Sequence, residues 1–90
     1  MTEQELIYNI HRNIEDLYML EDDALFIRDN VADYESYGYD SEEDAEAQAE
    51  CYENEAHQIY HVIKSDLAEL SGLLGRKIKM EDFTEGEFKS

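Results

Sequence analysis

Residues 41–75 read SEEDAEAQAECYENEAHQIYHVIKSDLAELSGLLG, and this stretch decides the fold. From Tyr52 onward its apolar residues recur at steps of three and four, which places them on one face of an α-helix. Ser41 is a favourable N-cap residue, and the acids after it suit the positive end of the helix dipole. The pattern predicts one long helix that begins after Ser41 and ends at Gly72 or Gly75.

The N-terminal part of the chain predicts helix as well. Thr2 and Glu5 have the spacing of a capping box, so a helix should begin near residue 3. Glu21 to Asp23 can break that helix and start a second one at about Ala24. The apolar spacing also fits one helix through residue 32, so both alternatives stay open. The predicted core-facing stripe consists of Leu6, Ile7, Ile10, Ile14, Leu17 and Tyr18.

The remaining segments predict little regular structure. Residues 33–41 contain Gly38 and lack a helical period, which predicts a loop. Residues 76–90 alternate charged and apolar side chains at first, which predicts a short strand or an extended tail. We therefore expect an all-α fold: one small antiparallel domain over residues 1–90, with two to three helices and a long third helix.

Composition narrows the function. Ninety residues make one domain at most, and a hydrophobic fraction of 42% predicts a folded chain despite a net charge of −17. One cysteine cannot form an internal disulfide, which suits a reducing cytoplasm. The N-terminus resembles neither a signal peptide nor a membrane span. Direct binding to nucleic acid or anionic lipid is disfavoured, because both are negative themselves.

The acids are concentrated in one part of the chain. From Asp29 to Ile63 there are eleven Asp or Glu residues and no Lys or Arg. Such a run repels itself and is complementary to a basic partner. Four glutamates step along the third predicted helix at intervals of three, four and three, and a tyrosine-rich acidic loop precedes them. The predicted partner-binding residues are Asp33, Glu35, Tyr37, Tyr39, Asp40, Glu42, Glu43, Glu46, Glu50 and Glu53.

Small size, a helical pattern and extreme acidity together resemble the phage-encoded DNA-mimic inhibitors of the anti-restriction and anti-CRISPR class. The resemblance spans the whole chain and rests on composition and expected shape, with no diagnostic motif. It implies an inhibitor in the host bacterial cytoplasm. Such a protein enters the basic nucleic-acid cleft of a defence nuclease, a CRISPR effector or a restriction enzyme, and blocks DNA binding.

Other functions have weaker support in the sequence. A helical adaptor or subunit would dock through apolar residues, with a homodimer as a variant, and would use the acids for solubility. Residues 33–44 match a calcium loop imperfectly, since Tyr37 and Asp44 stand where that loop needs a ligand and a glutamate. His57 and His61 lack the glutamate of a zincin motif. No catalytic motif is present, so we expect a non-enzyme without a cofactor or metal.

Overall fold

Two long helices pack against each other in antiparallel fashion in the computed structural model of the chain, which describes residues 1–88. Helix α1 spans Glu3–Asp29, and helix α2 spans Glu42–Leu74. A 3-10 helix, Val31–Tyr37, joins them, and the short helix α3, Glu81–Thr84, follows α2. The molecule measures 51 × 20 × 17 Å. These residues contain no strand, and the all-α prediction with its long helix is confirmed.

Three of the four ends of the two long helices lie where the sequence signals put them, whereas α1 ends at Asp29, three residues before the predicted end at residue 32. The Thr2 side chain accepts a hydrogen bond from the Glu5 backbone N–H at 3.2 Å, and Ser41 caps α2 in the same way. Gly75 ends α2 with φ +69°, a left-handed conformation that glycine adopts without strain. Residues 3–29 form one helix, which decides between the two alternatives left open by the sequence.

The loop predicted over residues 33–41 is partly wrong, because Val31–Tyr37 is a 3-10 helix with a kink at Asp33. Side chains three apart eclipse each other in a 3-10 helix, so Tyr34 and Tyr37, which both follow the kink, lie on one side. Gly38 ends this helix with φ +85°. These two tyrosines therefore follow the three-residue period of a 3-10 helix, which does not match the 3.6-residue period of an α-helix.

The main core lies between the N-terminal half of α1 and the C-terminal half of α2. Its fully buried side chains are Leu6, Ile10, Ile63 and Leu70. Tyr18 was predicted to face this core, but 45% of its surface is exposed. Leu17 occupies the buried position instead, and the next residue of a helix is rotated by about 100° away from it.

The other half of the hairpin is held by small residues. Ala24 of α1 and Ala45 and Ala49 of α2 are buried, yet they lie outside the main apolar cluster. Alanine allows two helices to approach but fills little volume between them. The end of the hairpin that is packed by alanines is also the end that contains the candidate site described below.

The C-terminal segment folds back onto the core. The strand alternative is not found in residues 76–88, because α3 follows a short irregular segment and buries Phe83. The Phe83 ring contacts His11 edge-on with centroids 4.9 Å apart. Ser71 Oγ accepts a hydrogen bond from the Ile78 N–H at 2.8 Å, which anchors the segment to α2. Residues 89 and 90 of the predicted tail lie outside the described residues.

Candidate protein-binding surface

The four glutamates of the predicted row all project from the N-terminal half of α2. Glu43, Glu46, Glu50 and Glu53 are exposed, and at a rise of ~1.5 Å per residue they extend over about 15 Å. We call these four residues the acid row. A well-formed helix fixes their spacing, so the row is a regular feature of the surface.

One member of the acid row has an internal counter-charge. Arg28 of α1 donates two hydrogen bonds to Glu53, from Nε at 3.0 Å and from Nη2 at 2.5 Å. Glu53 lies four residues after buried Ala49 and three before buried Ala56, so it borders the face that meets α1. The segment from Asp29 to Ile63 contains no Lys or Arg, yet Glu53 gains a counter-charge from Arg28, just outside that segment. No local sequence pattern indicates this pair, because its members are 25 positions apart.

The pair changes the acid–base properties of both partners. The hydrogen bond from Arg28 holds the pKa of Glu53 below its ordinary value, and the guanidinium charge acts in the same direction. The pKa of Arg28 is raised, first by Glu53 and further by the charges of Glu46 and Glu50. Arg28 therefore interacts electrostatically with three members of the acid row.

The predicted loop residues are carried on and beside the 3-10 helix. Asp33, Glu35, Asp40 and Glu42 are exposed. Tyr37 is 48% exposed, and its ring meets Phe26 of α1 edge-on with centroids 5.2 Å apart. Tyr39 is half-buried, and its N–H donates to the Tyr34 carbonyl at 3.0 Å. Their roles in partner binding stay predictions.

A cavity of about 300 Å³ lies between α1, the 3-10 helix and α2. Five of its lining residues are aromatic, and one is an acid. The lining residues are Asp23, Phe26, Ile27, Asn30, Tyr34, Tyr37, Tyr39, Ala45 and Tyr52. We call this feature the aromatic cavity. Two of its tyrosines, Tyr37 and Tyr39, are among the predicted partner-binding residues, but no pattern in the sequence predicts a cavity.

Metal-binding geometry is lacking among the described residues. No group of three or more His, Cys, Asp or Glu side chains in residues 1–88 is placed to hold an ion. His57 Nε2 lies 3.0 Å from His61 Nε2, which joins two exposed histidines one helical turn apart. The first half of the calcium-loop alternative falls in the 3-10 helix, where side chains of neighbouring residues point in different directions.

Comparisons of this chain with protein-family models, with curated proteins and with solved structures gave no significant match. Within residues 1–88, no helix has both the length and the apolar composition needed to cross a bilayer. The chemistry of the acid row, the 3-10 helix and the aromatic cavity therefore supplies the basis for a functional proposal.

Proposed function

We propose that this protein is a DNA-mimic inhibitor that binds the basic nucleic-acid cleft of a host defence nuclease, a CRISPR effector or a restriction enzyme, and blocks DNA binding. The observation that carries the proposal is the exposed acid row on a helix of 33 residues. The 3-10 helix that precedes this helix in the chain carries further exposed acids, Asp33 and Glu35. Proteins that bind DNA meet it with Lys and Arg side chains, which are complementary to such a surface.

The charge density is of the right order for this role. A net charge of −17 over 51 Å gives about one negative charge per 3 Å, against ~1.7 Å for duplex DNA and ~3.4 Å for one of its strands. Duplex DNA rises by ~3.4 Å per base pair, so the 51 Å long axis of the protein corresponds to about 15 base pairs. The protein thus approaches the linear charge of a single strand within the length of a short duplex.

Rigidity supports the same role. The acid row belongs to a helix of 33 residues that packs along α1, so its carboxylates keep their spacing when a partner approaches. The Arg28–Glu53 pair removes one negative charge from the row and links the two helices there. Glu43, Glu46 and Glu50 remain as carboxylates without an ion-pair partner among the described residues.

A second candidate function has its own observation. Several apolar side chains of α1 are exposed, among them Met19, Leu25 and Phe26. A helical adaptor or a homodimer would bury such residues, and its affinity would vary little with salt. The DNA-mimic proposal expects the opposite, since steering by opposite charge makes association fast and strongly salt-dependent.

The test is affinity capture from a bacterial lysate with the intact protein, followed by elution with duplex DNA. We expect a nuclease that DNA displaces. A double variant, Glu46→Lys with Glu50→Lys, should lose most of this binding. The matched control, Glu15→Lys with Asp22→Lys on exposed positions of α1, shifts the net charge by the same amount. Equal behaviour of the two double variants, or capture that DNA cannot displace, would refute the proposal.

A further inference from the structure

We propose that the aromatic cavity seats an arginine side chain of the basic partner. The inference rests on the proposed function for the partner's charge, but it concerns a different part of the surface. The acid row offers long-range attraction over about 15 Å of helix. The cavity offers one partly enclosed position, so it would determine which basic residue of the partner is held and in what register.

The lining suits a guanidinium group. Phe26, Tyr34, Tyr37, Tyr39 and Tyr52 contribute five aromatic rings. The faces of such rings attract cations, and arginine takes part more often than lysine because its planar group also stacks on them. The edge-on contact of Phe26 with Tyr37 leaves these two rings at an interplanar angle of 81°, so they border the cavity as two differently oriented walls.

An acid completes the lining. Asp23 is exposed, and neither of the two ion pairs in residues 1–88 involves it. A carboxylate beside aromatic rings supplies the second element that a guanidinium needs, an acceptor for its N–H groups. Arg28 is the nearest arginine in sequence, but it is bound to Glu53 and does not line the cavity.

The lysines and arginines of residues 1–88 lie outside this cavity. Lys64 lies over the Tyr60 ring at 5.6 Å, and Arg76 lies over the Phe88 ring at 5.9 Å. Within the described part of the chain, no lysine or arginine lines the aromatic cavity. An attractive site for a cation is thus formed without an internal occupant.

The size of the cavity limits the occupant. A volume of about 300 Å³ is at the lower end of the range for ligand sites. It exists because Ala45, at the helix–helix contact, leaves space that a larger side chain would fill. This volume suits one long side chain better than a whole peptide or a cofactor.

The direct test is an NMR titration of the intact, ¹⁵N-labelled protein with the peptide acetyl-Gly-Arg-Gly-amide. The neutral control peptide carries citrulline, which has nearly the shape of arginine without its charge, and a third peptide carries lysine. We expect saturable shifts at residues 34–39 and at Tyr52 with the arginine peptide, binding several-fold weaker with lysine, and none with citrulline. Binding of citrulline, equal binding of lysine, or shifts confined to the acid row would overturn the inference.

Matched variants separate the cavity from general charge. Asp23→Asn should weaken binding of the arginine peptide about tenfold, whereas Asp22→Asn makes the same charge change outside the cavity and should have less than a twofold effect. Tyr37→Leu removes a lining ring, and Tyr60→Leu removes an exposed ring elsewhere on α2. Circular dichroism checks that each variant is folded. Equal effects within either pair would also overturn the inference.

The two proposals fail in different ways. If the arginine peptide binds in the cavity but no DNA-displaceable nuclease is captured, the cavity inference holds and the DNA-mimic function falls. If the affinity of the captured nuclease is unchanged by Asp23→Asn and Tyr37→Leu but is lost in the double variant Glu46→Lys with Glu50→Lys, the DNA-mimic function is supported and the cavity inference is refuted.

Discussion

Glu46 should destabilise the free protein, and replacing it with glutamine should raise its melting temperature. Glu42, Glu43 and Glu50 lie three or four positions from Glu46 along α2, so Glu46 takes part in three like-charge pairs. Glu46 also lies beyond the first turn of α2, so its negative charge is stabilised little by the helix dipole. The three repulsions therefore outweigh the single attraction of the side chain to Arg28.

The magnitude follows from the pair count. Each like-charge pair at this spacing costs about 0.2–0.5 kcal/mol, so three pairs cost about 0.6–1.5 kcal/mol at low salt. The variant also loses the attraction between Glu46 and Arg28, so the net gain lies toward the lower end of this range. For a chain of this length, 1 kcal/mol shifts the melting temperature by about 4–8 °C. Glu46→Gln should therefore raise it by about 2–8 °C.

The assay is thermal unfolding by circular dichroism in 10 mM and in 1 M NaCl. The Debye length falls from about 30 Å to about 3 Å between these conditions, so the gain should nearly vanish at high salt. Glu55→Gln is the matched control, because Glu55 is exposed and has no acid three or four positions away. A lower melting temperature for Glu46→Gln, or an equal shift for Glu55→Gln, would refute the reasoning.

Three further predictions concern the core and two carboxylates. Ile63 is fully buried, so Ile63→Ala should cost about 2–5 kcal/mol in urea unfolding, while Val62→Ala, at a half-exposed position, should cost under about 1 kcal/mol. Arg28→Gln should raise the pKa of Glu53 toward its ordinary value in a ¹³C NMR titration, and an unchanged pKa would contradict the assigned cause. Burial raises the pKa of Asp66 above its ordinary 3.8, so the ionised form costs stability that accumulates as pH rises through the folded pKa. The Asp66→Asn variant should therefore have a higher melting temperature than the wild type at pH 7 and an equal one at pH values below the ordinary pKa of Asp66. A higher melting temperature at low pH alone would contradict this prediction.

Local signals in the sequence predicted the helix ends well. Ser41 and Gly75 delimit α2, and Thr2 begins α1, because a capping hydrogen bond or a left-handed glycine depends on a few neighbouring residues. Whether residues 21–23 break α1 was not decidable from the same signals. Packing of α1 along α2 stabilises a continuous helix, and that packing is a property of the whole fold.

Features that join distant residues were not predicted. The Arg28–Glu53 pair depends on the register of two antiparallel helices, and this register cannot be predicted from residues that are neighbours in the sequence. The aromatic cavity needs the register and the 3-10 helix together. Buried Ala45 and Ala49 are the one sequence signal that could have pointed to it, since small residues facing a tyrosine-rich segment leave room for rings.

The alanines at the connecting end of the hairpin have a dynamic consequence. Methyl groups lose fewer dispersion contacts on separation than the isoleucines and leucines at the opposite end, so we expect the helices to separate more readily near Ala45 than at the main core. Such opening would let the aromatic rings adjust to an incoming group. The free-energy cost of binding would then include the entropy lost when this local separation is suppressed, and the bound protein would be more rigid than the free one.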